Sequence, residues 1–217
     1  MKQKRRVSYY PAFLDVSDRR CVVVGGGPVA LRKVRALLER GASVEVISPE
    51  PCSELSQLAE SGQVCISPRQ YEEGDLEGAL MAIAATDDRI TNLTVAKEAR
   101  SKGVLVNVVD DDRSSDFIVP ACVCRGDVTI AVSTGGRSPA LAGKIRQRLE
   151  EEFGEEYASL ALLVGEVRTE VRRQRIKVDS DAWKEALDLD SLIDLLKKGD
   201  GEKAKAILLN RLRAQRE

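Results

Sequence analysis

Arg20-Cys21-Val22-Val23-Val24-Gly25-Gly26-Gly27-Pro28-Val29-Ala30 is the stretch on which the fold turns. Its first half is a short apolar run with no polar alternation, which fits a strand covered on both faces in a parallel sheet. Its second half has the spacing G-x-G-x-x-A at Gly25, Gly27 and Ala30. In that pattern the first glycine allows a tight turn, the second lets the backbone approach a pyrophosphate at a helix N-terminus, and the small third residue permits close helix–strand packing. Alone the pattern is weak, and a glycine turn with no ligand is the plainer alternative. Following a strand and opening a helix, it predicts a dinucleotide-binding βαβ unit.

Outward from this stretch the alternation continues. A helix is expected from about Pro28 to Arg40, with Ala30, Val34, Leu37 and Leu38 on one face and Gly41 as its stop. Ser43 to Ser48 reads as a second strand, Glu54 to Ala59 as a short helix, Val64 to Ser67 as a third strand and Leu80 to Ala84 as a fourth. Thr91 to Ser101 reads as a helix with Asn92, Val95, Ala96 and Ala99 inward, and Val104 to Val109 as a fifth strand. Such alternation predicts an open parallel sheet.

The pattern changes at Asp111-Asp112-Arg113-Ser114-Ser115-Asp116, a polar linker and a natural domain boundary. Phe117 to Cys124 and Val128 to Ser133 read as two strands turned around Arg125-Gly126-Asp127. From Ser138-Pro139, a good N-cap followed by proline at the first helical position, the chain is expected to be helical. Leu141, Ile145 and Leu149 share one helical face, and Leu160, Val164, Val167 and Val171 another. Shorter helices follow near Asp181 to Leu187, Ser191 to Lys197 and Glu202 to Arg213.

Composition narrows the functions. With 34 Lys and Arg against 35 Asp and Glu, no net field draws the chain onto nucleic acid or membrane. The basic run Met1 to Arg6 lacks the apolar stretch of a signal peptide, and no segment reaches the roughly 18 apolar residues of a span, so the expected address is the cytoplasm. Cys21 and Cys65 sit in apolar runs and read as core residues. Cys122 and Cys124, two apart on a strand, are too few ligands for zinc, and no metal site is expected. The chain has 0 histidines, which excludes Ser-His-Asp and Cys-His catalysis and leaves acid–base work to carboxylates, Lys, Tyr or Cys.

The candidate site residues lie at the carboxyl ends of the strands, where open α/β sheets bind ligands. Ser48 stands where an acidic residue ordinarily holds the adenosine ribose, with Glu50 two residues on as a substitute. No Arg or Lys follows to grip a 2′-phosphate, which favours NAD over NADP. Ala84-Ala85-Thr86-Asp87-Asp88 would let a dinucleotide lie against backbone, while Thr86 or Asp87 would equally serve as a helix cap. Asn107-Val108-Val109-Asp110 aims Asp110 into the same crevice, where a carboxylate can take a proton as hydride leaves; a turn-forming aspartate is the alternative. Ser133-Thr134-Gly135-Gly136-Arg137-Ser138 is a second glycine-rich turn before a helix, suited to a carboxylate or phosphate or simply to an N-cap.

Five segments in order carry a resemblance: Pro11-Ala12-Phe13-Leu14 with the Gly25 loop, Ala82 to Asp88, Asn107 to Asp110, Asp116-Phe117-Ile118-Val119-Pro120, and Val132 to Pro139. Together they resemble the precorrin-2 dehydrogenase/sirohydrochlorin ferrochelatase family, including the N-terminal half of multifunctional sirohaem synthase. The likeness is strong over residues 7–150 and loose beyond; the methyltransferase half has no counterpart in these 217 residues. The resemblance implies NAD-dependent oxidation of precorrin-2 to sirohydrochlorin, with iron insertion by the same site as an alternative. A regulatory NAD-binding module is a competing reading from another class, and it would need neither Asp110 nor the Ser133 to Ala140 turn. The resemblance further implies a Rossmann domain at 1–113, a small α+β dimerisation domain at 114–150, a helical domain at 151–217 and an intertwined homodimer. It puts the catalytic aspartate on Asp110 and NAD contacts near Pro28, Val29, Pro49 and Glu50, and a serine phosphorylated in some relatives falls on Thr134. Because precorrin-2 carries eight carboxylates, Arg113, Arg125, Arg137 and Lys144 are expected to line a basic cleft together with the Ser133, Thr134 and Gly135 turn.

Overall fold

A computed structural model describes residues 9–214; the basic run Met1 to Arg6 lies outside them. The chain forms two compact units, one up to Val119 and one from Pro120 onward. The first contains β1 (Arg20–Val24), α1 (Pro28–Leu38), β2 (Ser43–Ile47), α2 (Ser53–Glu60), β3 (Cys65–Ser67), β4 (Met81–Ala84), α3 (Arg89–Lys102) and β5 (Leu105–Val108). All five strands are parallel, in the order β3-β2-β1-β4-β5. The order reverses between β1 and β4, the position at which doubly wound sheets open a crevice.

The apolar run of β1 is continuous because both of its faces are covered. Cys21 and Val23 pack with Ala30, Leu31, Val34 and Leu37 of α1, while Val22 and Val24 pack with Val95, Ala96 and Ala99 of α3 on the opposite side. Fully burying each valine contributes about 1.5–3 kcal/mol. Register then levels the strand ends: Val24 pairs with Ile47 and with Ala84, and Ala84 pairs with Val108. Gly25, Ser48, Ala85 and Val109 therefore follow their strands along one edge.

Three expectations are corrected in this unit. Cys65 is exposed, because β3 is the edge strand and it is Val64 that points inward. Residues 117–120 do not form a strand. The preceding segment instead lies along the open edge of β5, where Asp116 exchanges hydrogen bonds with Val106, Ser115 Oγ accepts from Val108 N–H, and Asn107 Nδ2 donates to the Phe117 carbonyl at 2.9 Å. These bonds satisfy backbone groups that an edge would leave open. The cap of α3 is Asp88, whose carboxylate accepts from the N–H groups of Ile90 and Thr91, and not Thr86 or Asp87.

The second unit opens with the antiparallel pair β6 (Ala121–Arg125) and β7 (Val128–Val132), followed by α4 (Pro139–Glu152), α5 (Glu156–Arg173), α6 (Ser180–Ala186), α7 (Leu189–Lys197) and α8 (Gly201–Ala214). Ser138 caps α4 by accepting from Leu141 N–H. Leu160, Leu163, Val167 and Val171 of α5 are buried against Leu192, Ile193, Leu208 and Leu212, so Leu163 takes the inward place expected of Val164. On α4 only Ala142 is buried, and Leu141 and Ile145 remain 53% and 39% exposed. Among the described residues no helix is long and apolar enough to cross a membrane.

Candidate active site

The site begins at the glycine turn, and its three glycines serve different purposes. Gly25 has φ +128°, and a Cβ there would strike the Ala85 carbonyl of the neighbouring strand end. A Cβ on Gly26 would strike Ser48 Oγ and the Glu50 carbonyl. Both residues are thus required by the fold. Gly27 is different: it is exposed, has φ −85° and ψ −175°, and an added Cβ would meet no atom within 4 Å. The open space over Gly27 lies at the start of α1, whose first N–H groups and dipole favour an anion. A dinucleotide's diphosphate fits this cradle. Pro28, exposed, and Val29, half-buried, form its rim.

On the β2 side Ser48 is only 4% exposed and its Oγ accepts from Glu50 N–H at 3.3 Å, so Ser48 shapes the turn. Pro49 and Glu50 are exposed, which leaves Glu50 as the carboxylate able to receive a ribose. On the β4 side Thr86 does not offer a free hydroxyl. Its Oγ1 donates to Asn92 Oδ1 at 2.8 Å, and Asn92 Nδ2 returns a bond to the Thr86 carbonyl at 2.9 Å. Thr86 holds the backbone shape of the crevice wall.

Beyond β5 a cleft of about 470 Å³ is lined by Arg89, Asn92, Leu93, Val108, Val109, Asp110, Asp111, Arg113 and Ser114. Three aspartates are consecutive here, and two have distinguishable roles. Asp111 is the loop builder: its carboxylate accepts from Ser114 Oγ at 2.7 Å and from the N–H groups of Arg113 and Ser114. The Ser114 hydroxyl first, then these backbone donors, hold its pKa below the ordinary carboxylate value despite some desolvation. Asp110 is exposed, has φ +60°, and among the described residues its carboxylate has no hydrogen-bond partner. A non-glycine residue in the left-handed region costs roughly 1–3 kcal/mol and persists only where its surroundings impose it. Lys33 of α1 is half-buried; desolvation and the neighbouring Arg32 lower its pKa, while the charge of Asp110 opposes them.

In the second unit Thr134 Oγ1 donates to the Ser138 carbonyl and accepts from Ser138 N–H, and Ser133 Oγ accepts from Gly135 N–H. Arg137 is exposed on this closed turn, as is Lys144 on α4. Arg125 is spent elsewhere. Its guanidinium donates to the carbonyls of Phe153 and Glu150 at 2.9 and 3.3 Å, capping the C-terminal end of α4, and it also pairs with Glu155. Sequence reasoning missed Lys33, Gly26 and Arg89. Gly26 was legible as a glycine between two motif glycines, and Arg89 as a cation opening a helix behind Asp88; nothing in the sequence singled out Lys33.

Fold and site together define a dinucleotide-binding Rossmann protein with an acidic group beside the crevice. Residues 12–121 match the family described as "Putative NAD(P)-binding", and residues 125–152 match the central segment of sirohaem biosynthesis proteins. The chain belongs to that NAD(P)-binding family. It is 40% identical over 210 residues to the siroheme synthase of Chromobacterium violaceum, covering 96% of this chain and 44% of that protein. It is 39% identical over 205 residues to the siroheme synthase of Methylococcus capsulatus, covering 94% and 43%. The chain thus spans less than half the length of these relatives. Among solved structures it is similar to SirC, a precorrin-2 dehydrogenase, at TM-score 0.71 and 25% identity over 95% of this chain and 100% of that one. The expected likeness to the first half of sirohaem synthase is therefore found over nearly the whole chain.

Proposed function

We propose that this protein is an NAD-dependent dehydrogenase that oxidises precorrin-2 to sirohydrochlorin in sirohaem biosynthesis. The end-to-end likeness to SirC and the siroheme synthase relatives support the substrate. The observation that carries the chemistry is Asp110, an exposed carboxylate that makes no hydrogen bond among the described residues and is held at φ +60° in the cleft at the carboxyl end of β5. Dehydrogenation removes a hydride and a proton. NAD, when bound, supplies the hydride acceptor; Asp110 takes the proton released from the macrocycle carbon or nitrogen. Asp111, fixed on Ser114, holds the turn that presents Asp110, and Gly27 leaves the diphosphate its place. Anaerobic incubation with precorrin-2 and NAD, followed by absorbance, tests the reading: sirohydrochlorin and NADH should form together. Asp110→Asn should leave NAD affinity unchanged and lower turnover by roughly 10²-fold, the usual scale for losing a positioned base. Near wild-type turnover in that variant removes Asp110 from the mechanism.

We further propose a cytoplasmic homodimer, with residues 1–113 acting as the NAD domain, 114–150 as the dimerisation domain and 151–217 as the helical domain. The two strands β6 and β7 are too few to be stable alone, and the exposed Leu141 and Ile145 give α4 an apolar face of the kind a second copy covers.

A further inference from the structure

We propose that Arg89 and Arg113 form a two-arginine clamp that selects polycarboxylate ring substrates at the Asp110 cleft, with Arg89 a specificity-determining residue. This rests on the dehydrogenase reading above and deepens it by naming what holds the substrate. Arg89, the first residue of α3, and Arg113, on the turn after β5, come from different elements and line the same cleft of about 470 Å³ as Asp110.

Charge in the cleft is balanced in number, two cations against two carboxylates, and what sets the cations apart is that neither guanidinium is held in a close ion pair among the described residues. The groups facing it are Arg89, Arg113, Asp110 and Asp111. Asp111 keeps its charge while accepting from Ser114 Oγ and two backbone N–H groups, and the charge of Arg89 adds to the lowering of its pKa. Among the described residues Arg89 makes no ion pair, and Arg113 uses only its main chain, its N–H on Asp111 and its carbonyl on Arg100. Two guanidinium forks thus remain available to a ligand, with Asp110 and Asp111 beside them. Arg89 also sits where a helix least favours a cation, at the N-terminal end of α3, with no acidic residue in the first turn and the cap Asp88 and the charge of Asp111 to offset it. A bound carboxylate satisfies both the fork and the helix end.

The rest of the lining fits a hydrocarbon ring. Leu93, Val108 and Val109 form an apolar wall, with Leu93 43% exposed and the neighbouring Ile90 76% exposed. A flat macrocycle with acidic arms would set its ring on that wall and its arms on the two arginines, bringing ring carbon towards Asp110. The adenosine half of a dinucleotide belongs over β2, beside Glu50, and its nicotinamide half crosses the switch point towards β4, so a substrate in this cleft beyond β5 would lie next to the nicotinamide.

The test uses two porphyrin probes of the same ring and different charge: uroporphyrin III with eight carboxylates and coproporphyrin III with four, titrated by fluorescence. Both arginines are exposed, so Arg89→Gln and Arg113→Gln should keep the fold, checked by circular dichroism and melting. Wild type should bind uroporphyrin more tightly than coproporphyrin. Arg89→Gln should weaken uroporphyrin roughly 10-fold or more, the scale of one charge-assisted fork. It should also narrow the preference between the probes, flatten the salt dependence and leave NAD affinity unchanged, while Arg89→Lys recovers part of the loss. A folded double variant that binds uroporphyrin as wild type does, or a wild type that does not distinguish the probes, overturns the clamp. Asp110→Asn separates the two claims: it should keep uroporphyrin binding while losing turnover. Loss of uroporphyrin binding in Arg89→Gln supports the clamp even if wild type fails to oxidise precorrin-2, which would overturn the dehydrogenase reading alone.

Discussion

Replacing Gly27 by leucine should abolish cofactor binding and leave the fold standing. The backbone at Gly27, φ −85° and ψ −175°, is open to any L-residue, and no protein atom lies within 4 Å of the added Cβ. What the fold loses is a favourable helix N-cap, about 1 kcal/mol or less, which for a chain of this size lowers Tm by roughly 2–4 °C. The ligand loses far more. The leucine branches into the space where a diphosphate would meet the first N–H groups of α1, and hydrogen bonds to a charged group contribute about 1.5–3 kcal/mol each. Losing two such bonds raises Kd by roughly 10²- to 10⁴-fold. Gly25→Ala should behave in the opposite manner. Its φ of +128° and its contact with the Ala85 backbone leave a Cβ no place, so strain of at least ~1–2 kcal/mol plus displacement of β4 should appear as a large drop in Tm. Calorimetric NAD titration beside thermal melting separates the cases. A folded Gly27→Leu protein binding NAD within about threefold of wild type, a difference worth only ~0.6 kcal/mol, would refute the assignment of this turn.

Asp111→Ala should loosen the turn that presents Asp110, lowering Tm at pH 7. Because the folded pKa of Asp111 is depressed, its contribution is present above the unfolded value of about 4 and is lost as pH falls through the lower folded value. The gap in Tm between wild type and variant should therefore close under acid conditions; a gap that is constant with pH would mean that the carboxylate's charge plays no part. Sedimentation at low micromolar concentration should give about twice the 23.8 kDa chain mass, and Leu141→Glu with Ile145→Glu should shift it towards the single-chain value. A wild type that sediments as a fully active monomer refutes the dimer.

The sheet was legible because burial on both faces leaves no freedom in composition. Cys21-Val22-Val23-Val24 had to be apolar throughout, and the glycines after it had to be glycine for the reasons the structure displays at Gly25 and Gly26. Legibility fails where the deciding partner is far along the chain. Residues 117–120 carry an apolar pattern fit for a strand, yet Asn107, ten residues earlier, ties Phe117 beside β5 and pairing begins only at Ala121. Cys65 reads as core by its neighbours, but a three-residue edge strand has only one inward place and Val64 occupies the buried position beside it. Arg125 reads as a cation awaiting a substrate. Its claimants are the carbonyls of Glu150 and Phe153, which no local pattern could connect to it.

The run Asp110-Asp111-Asp112 makes the same point within the site. Sequence offers three adjacent carboxylates of equal acidity, and choosing among them required the phase of the strand before them. β5 ends at Val108, level with Ala84 and so with the glycine turn, and Asp110 is the first acid past that edge. The structure adds a division of labour that the sequence could not express. One carboxylate is consumed in shaping the turn, and its left-handed neighbour makes no hydrogen bond among the described residues while its charge acts on Lys33. A carboxylate serving as a loop cap is satisfied, as Asp111 is, whereas Asp110 occupies a left-handed position that aspartate and asparagine adopt more readily than other side chains and leaves its carboxylate exposed. An exposed carboxylate at that position, with Arg89 and Arg113 lining the same cleft, is the arrangement that supports the proposed role of Asp110 as proton acceptor.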